Sequence, residues 1–213
     1  MPRADTYIRQ ILERFEGAGR CRGYVPMQQG RVLGNSGVTI GTGVDLGQHS
    51  RDALEKMGVP ASITGVLVPY LGLRKEDAVS RLKASPLVLA TDAVAALDRA
   101  VIGHFITRME KRFDKTIHEI ASAPCPGFFA ERPREVQAVL VSLAYHLGFG
   151  GFPRTYALLA SGQYTRAIAA LRNSAAWNHR YMYRRREEAA LIEQAVFFEQ
   201  SEQAGQAMPA GKE

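Results

Sequence analysis

The sequence predicts an α+β fold that is mostly helical: a small lobe with a β-hairpin, joined by a long helix to an all-helical lobe. Three observations predict it. Only one region, Gly19 to Gly47, breaks into short apolar pieces separated by glycine and small polar residues ("GYVPM", "GRVL", "GVTIG"). From Ser50 almost to the end, the apolar residues instead recur at helical spacing. Within that part "DAVAALDRAVIGHFITRMEKRF" is long enough to connect two lobes.

Taken in order, the first element is an amphipathic helix from about Asp5 to Phe15, with Ile8, Ile11, Leu12 and Phe15 on one face. It ends at Glu16 and Gly17, glycine being the usual terminator. The hairpin region follows. Ser50 is placed to cap the short helix "RDALEKMG". Two more short helical pieces, "PASITGVLVPYLGL" and "RKEDAVSRLKAS", lead to the long helix, for which Thr91 or Asp92 is the expected cap. Its residues Val94, Leu97, Val101, Ile102 and Phe105 share a broad apolar face, which marks it as the central buried helix. "SAPCPGFFAERP" reads as a loop, and Pro133 suits the first turn of the next helix, where Val136, Val139, Leu140, Leu143 and Leu147 keep the period. "GFGGFP" breaks it. "TYALLASG", "YTRAIAALRNS" and "RYMYRRREEAALIEQAVFFEQ" complete a helical bundle, and "SEQAGQAMPAGKE" reads as a frayed tail.

At 213 residues, 46% hydrophobic and 23% charged, the composition is that of a globular protein of one domain, or one domain with two lobes. The expected division is a single domain over 1–200, with a small lobe over about 15–50, a helical lobe over about 90–200, and a flexible tail over 201–213. A cleft between two such lobes is a natural ligand site. The formal charge of +6 favours an anionic partner, whether nucleic acid, acidic lipid or an anionic polymer such as a cell wall. The two cysteines, Cys21 and Cys125, lack metal-ligand spacing and read as free thiols of a protein made in a reducing compartment. A disulfide between them has no support in the sequence. The charged start "MPRADTYIRQILERF" shows no signal peptide, and no apolar run reaches the ~20 residues that span a bilayer. The expectation is a protein made in the cytoplasm, with no membrane insertion. No metal or cofactor is expected.

The stretch "GNSGVTIGTGVDLGQHS" holds five glycines around a single carboxylate, Asp45. A phosphate-cradling loop needs a lysine and a hydroxyl after its glycines; here Val44, Asp45 and Leu46 follow. A purely structural turn is one remaining reading, since Gly, Asp and Asn are ordinary turn residues. The other pairs Asp45 with Glu16. A carboxylic acid at a helix end and a carboxylate on a neighbouring hairpin can flank a glycosidic bond, one protonating the leaving oxygen and the other activating water or stabilising the oxocarbenium-like charge. An apolar pocket, for which Phe15, Tyr24 and Ile40 are candidates, would keep Glu16 protonated for that work. Thr39 can orient the water, and the glycines can let a sugar chain approach the backbone closely.

The segments "FEG", "TIGTGVDLG", "LVSLAYHLGFGGF…TYALLASGQYTRAIAALRN" and "RRREEAALI" resemble, in order and spacing, the phage-type lysozymes, muramidases that cut bacterial peptidoglycan. The resemblance runs from about Phe15 to Ile192. It implies a lysozyme-like fold and places the general acid on Glu16 and the water-positioning hydroxyl on Thr39. Many members carry a second acid upstream of the "TIG" motif, whereas this chain has no Asp or Glu from Gly17 to Val44. With Asp45 after "TIGTG" it is more similar to the pesticin branch, bacteriocin muramidases whose catalytic residues fall on Glu16, Thr39 and Asp45. Tyr24, Gln48 and His146 are the expected substrate contacts. His146 stands where many phage enzymes have Asn, and its simpler reading is a helix-end hydrogen bond.

The resemblance thus implies a glycoside hydrolase cleaving between N-acetylmuramic acid and N-acetylglucosamine, causing bacterial lysis in the periplasm or cell wall as an endolysin, antibacterial effector or toxin. Peptidoglycan is the expected partner, with an immunity protein or delivery machinery as candidate protein partners. Nucleic acid is not expected, because no DNA-binding motif or aromatic stacking platform is present. Arg166, Arg172, Arg180, Arg184, Arg185 and Arg186 would form a basic face that favours encounter with the wall. The alternatives are a basic binder without catalysis and a catalytically inactive lysozyme-like module that holds glycan.

Overall fold

In a computed structural model of the chain, residues 4–17, 19–120, 127–173, 175–177 and 179–206 are described. Their elements are α1 (Ala4–Glu16), β1 (Arg20–Tyr24), β2 (Met27–Gln28), β3 (Arg31–Val32), β4 (Thr39–Gly41), β5 (Val44–Asp45), α2 (Arg51–Lys56), α3 (Ala61–Leu67), α4 (Lys75–Ala84), α5 (Thr91–Ile120), α6 (Arg134–Leu147), α7 (Pro153–Ala160), α8 (Tyr164–Arg172) and α9 (Met182–Gln206). The fold is lysozyme-like α+β. The chain divides into two compact units, one spanning Arg9–Ile106 and one formed by the described residues on either side of it.

The first unit carries all the described strands. α1 buries Ile8, Ile11 and Leu12 as its spacing predicts, and it stops at Gly17, whose positive φ of 89° lets its N–H bond Glu13 O at 2.8 Å. The main sheet has the order β1-β4-β5, all antiparallel; β2 and β3 form a separate hairpin. The register between β1 and β4 slips between Arg20 and Tyr24, a bulge that leaves part of β1 to pair elsewhere. There Gly23 N–H bonds Leu87 O, and Leu89 N–H bonds Cys21 O, each at 2.9 Å. This unit is larger than a lobe ending near residue 50. α2, α3 and α4 belong to it, because Leu54, Ile63, Leu67 and Ala78 are buried within it. Ser50 caps α2 as expected, its hydroxyl accepting from Ala53 N–H at 3.2 Å.

The second unit is helical. Its centre is α6, buried on every side from Glu135 to Ala144. The long helix α5 runs from the first unit into the second, the division falling after Ile106; it buries only a stripe, through Val94, Leu97, Val101 and Ile102 before that point and Met109, Phe113 and Ile117 after it, and Phe105 is only half-buried. The expectation that α5 is the central buried helix is therefore corrected. Charged residues interrupt its pattern at every turn, while α6 has almost none to expose. Pro133 sits one residue before α6, at the N-cap rather than in the first turn. α9 runs on to Gln206, so the first part of the expected tail is helical; residues 121–126, with Cys125 and part of the expected loop, and residues 207–213 lie outside the described residues. Cys21 is a free, half-buried thiol. No helix among the described residues is long and apolar enough to cross a membrane.

Candidate active site

The glycine-rich stretch builds a cradle for one carboxylate. Asp45 Oδ1 accepts from Gly37 N–H at 3.0 Å and from Gly47 N–H at 2.9 Å. For both donors to reach one oxygen, the two backbones must almost touch. A Cβ on Gly37 would lie 2.6 Å from Gly47 Cα, and one on Gly47 2.8 Å from Gly37 Cα. No other residue permits that approach. The expectation that the glycines let a sugar chain approach the backbone is corrected for Gly37, Gly41 and Gly47, which are buried against protein. Asp45 also caps the 3-10 turn Leu46–Gln48 through the same Gly47 bond.

Strand register decides which side chains share a face. Thr39 pairs with Asp45 across β4–β5 and with Tyr24 across β1–β4, so Tyr24, Thr39 and Asp45 form a row on one face of the sheet. Ile40 and Val44 pair on the opposite face, in the core. Ile40 is thus removed from the expected pocket around Glu16. Thr39 is buried, its hydroxyl donating a long bond of 3.4 Å to Gly37 O.

Glu16 reaches this row from the last position of α1. Its Oε2 lies 3.1 Å from where a Cβ on Gly43, in the β4–β5 turn, would stand. Tyr24 reports the proximity of both acids. Burial raises the pKa of its hydroxyl, Arg20, stacked over the ring at 4.4 Å, pulls it down, and the charges of Glu16 and Asp45 both push it up. Glu16, Tyr24, Thr39 and Asp45 are therefore brought together in one compact unit. Gln48 is exposed on the turn after Asp45, where its amide donates to Asn35 O at 3.1 Å.

His146 belongs to the other unit. It lies near the end of α6, its Nδ1 3.2 Å from an Arg185 nitrogen and its ring edge-on to Tyr181 at 4.4 Å. The helix-end hydrogen bond is the reading its surroundings match. Burial, then Arg184 and Arg185, lower its pKa from 6.5 to about 3. Below 6.5 the unfolded chain takes up a proton that the folded chain refuses, so stability is lost as pH falls from 6.5 towards 3. In urea melts, the wild-type midpoint should fall further than that of His146→Gln between neutral pH and mildly acidic pH. Equal falls would remove His146 as a source of acid sensitivity.

The expected basic face is smaller than its sequence. Arg184 and Arg185 are buried and paired with Glu188, and Arg172 is paired with Glu193 at 2.7 Å. The side chain of Arg180 lies outside the described residues. Arg166 and Arg186 remain exposed.

Two residues near the site escaped the sequence reading. His49 is half-buried, and burial lowers its pKa while Asp45 acts to raise it. Asp98, on α5, binds the turn between β4 and β5. Its signal was a lone acid beside the apolar stripe of Val94, Leu97, Val101 and Ile102. Among the described residues no cluster of three or more His, Cys, Asp or Glu is placed to hold a metal ion.

A search of curated proteins finds no match. A family model does match, over residues 8–160: pesticin, described as a bacterial toxin homologue of phage lysozyme, C-term. The match covers well over half of the chain, takes in every residue of the Glu16–Asp45 cluster, and ends before α8 and α9. On the strength of that match, the chain belongs to the pesticin family of phage-lysozyme homologues.

Proposed function

We propose that this protein is a muramidase that hydrolyses the bond between N-acetylmuramic acid and N-acetylglucosamine, acting on peptidoglycan in the periplasm or cell wall after release or delivery. One observation carries the reading. Two carboxylates from separate segments are set close together: Glu16, at the end of α1, packs against Gly43, two residues before Asp45, which sits in a backbone cradle of Gly37 and Gly47. Membership of a lysozyme-related family supports muramidase-type chemistry at such a pair.

In this reading Glu16 protonates the glycosidic oxygen as the bond breaks. Asp45 takes the proton of an attacking water or stabilises the positive ring. Its two N–H bonds both go to Oδ1, which fixes the plane of the carboxyl group and offers Oδ2 to the reacting water. Thr39, directly opposite in the register, holds that water. Tyr24 and Gln48 contact the glycan. An immunity protein in the producing cell, or machinery that delivers the toxin, would be its protein partners.

The test is release of reducing ends from purified peptidoglycan. Borohydride reduction followed by acid hydrolysis should yield muramitol, the mark of cleavage after N-acetylmuramic acid. Glucosaminitol would instead indicate the neighbouring bond, and no new reducing ends would indicate a module that holds glycan without cutting it. Asp45→Asn keeps the shape and an acceptor for both N–H groups but removes the base. It should lower kcat by roughly 10²–10⁴-fold. Retention of most of the wild-type rate would show that another group activates the water.

A further inference from the structure

The β4–β5 turn has little to hold it. The two strands pair only at Thr39 with Asp45 and Ile40 with Val44. The turn between them contains Gly41 and Gly43, both at positive φ (62° and 78°). Such a turn is intrinsically loose, because glycine confers conformational freedom and strands this short contribute few ladder bonds. Yet Gly43 packs against the Glu16 carboxylate, and the strand leaving the turn carries Asp45. Any movement of the turn changes the position of one acid relative to the other.

A side chain from a distant part of the sequence helps to fasten it. Asp98 accepts from Thr42 N–H with Oδ1 and from the Thr42 hydroxyl with Oδ2, each at 2.8 Å. It also fills the space beside Gly41, where a Cβ would stand 2.3 Å from Oδ1, and beside Gly19, where a Cβ would stand 2.8 Å from Oδ2. Both chain segments that bear the acids, the one leaving α1 and the one entering β5, thus close on the same carboxyl group. Thr42 is itself buried, so its N–H and hydroxyl would lose these partners without ready replacement by water.

We propose that Asp98 is a positioning residue of the Glu16–Asp45 centre, holding the Thr42 turn so that the two catalytic carboxyl groups keep their spacing. This rests on the muramidase reading above. Asp98 acts through Thr42 and Gly43, not on the substrate. Burial raises its pKa against the pull of the two Thr42 bonds, and Glu13 raises it further while Arg9 lowers it. The role requires hydrogen-bond geometry rather than charge: an asparagine can accept from Thr42 N–H and donate to the hydroxyl oxygen.

The experiment measures kcat and KM on soluble glycan strands for Asp98→Asn, Asp98→Ala, Thr42→Val and the Asp98→Ala/Thr42→Val double variant, with amide exchange over residues 41–45. Asp98→Ala should lower kcat by about 10–100-fold with KM changed by less than about threefold, because a misplacement of about 1 Å acts on the transition state. Asp98→Asn should retain at least about half of kcat. Thr42→Val should fall between, and adding it to Asp98→Ala should cost little more, the signature of one shared interaction. Exchange at Thr42 and Gly43 should speed up in Asp98→Ala and not in Asp98→Asn. Full kcat in Asp98→Ala overturns the proposal, as does an equal loss in Asp98→Asn. If Asp98→Ala does not fold, Thr42→Val against Thr42→Ser decides: loss in the first with rescue in the second supports the clamp, and equal rates overturn it. A wild-type protein that releases no reducing ends from peptidoglycan defeats the muramidase reading, and the positioning role falls with it. Faster exchange in Asp98→Ala alone would then show the clamp as a structural contact only. The two failures are thereby distinguished.

Discussion

Glu16→Gln is expected to abolish peptidoglycan hydrolysis while leaving the protein at least as stable as the wild type. Glutamine has the shape of glutamic acid and accepts hydrogen bonds, but it cannot release a proton to the glycosidic oxygen. Loss of a positioned general acid costs roughly 10²–10⁴-fold in rate. The stability half of the prediction follows from the helix. Glu16 is the last residue of α1, where unsatisfied carbonyls give the helix end a partial negative charge. A carboxylate there is unfavourable by up to about 1 kcal/mol, and an amide removes that repulsion. Release of reducing ends and a thermal melt on the same preparations check both halves. Glu13→Gln, one turn back, is the control for a general change in charge. Activity in Glu16→Gln within a few-fold of wild type would remove Glu16 as the acid. A large drop in melting temperature would show that its carboxylate is structural.

How far the sequence reveals this centre depends on the range of the interactions involved. The α1 stripe, the confinement of strands to the stretch between Arg20 and Asp45, and the long α5 were all legible, because each is set by local periodicity or glycine content. Asp45 stands out in the sequence as the first acid after Glu16, and its expected role comes from the resemblance to the pesticin branch. The meaning of the glycines was not. Their pattern suggests a surface open to substrate, whereas Gly37 and Gly47 let two backbone segments converge on one carboxylate oxygen. That convergence depends on register, which no local pattern in such short strands specifies. Asp98 was hidden for the same reason. Its partner Thr42 lies 56 positions away, and an aspartate on a mixed helix looks like any solvated charge. The likeness of Ile40 to a pocket residue failed on alternation alone, since Thr39 and Ile40 must face opposite ways.

The "RRRE" run shows the same limit at higher energetic cost, and Glu188→Leu is expected to be the most destabilising single change considered. In α9 the apolar positions Met182, Ala189 and Ile192 define a buried stripe, and Arg185 and Glu188 occupy slots within it. Both are 0% exposed. Glu188 holds Arg184 at 3.3 Å and Arg185 at 2.8 Å, and it accepts from the Ser142 hydroxyl of α6 at 2.6 Å. Arg184 in turn donates to Ser142 O at 3.2 Å, and Arg185 lies over the Trp177 ring at 5.2 Å. Burial pushes the Glu188 carboxyl pKa upwards, against the downward pull of Arg185 and Arg184. Removing this carboxylate takes the ion-pair partner from two buried guanidinium groups, and breaking a buried ion pair from one side costs about 3–5 kcal/mol. For a chain of this length each kcal/mol moves the melting temperature by about 2–4 °C, so the melt should fall by roughly 6 °C or more. Glu188→Gln should fall less, because the amide oxygen still accepts from Ser142. Replacing the three charges together, as Arg184→Met, Arg185→Leu and Glu188→Met, should recover much of the loss, since an apolar group of similar volume does not need to be paired. If Glu188→Leu melts within about 2 °C of the wild type, the triad contributes nothing to the helical unit and its burial has another origin. If the triple variant melts as low as the single one, the ion network is required for the packing of α6 on α9 rather than merely tolerated by it.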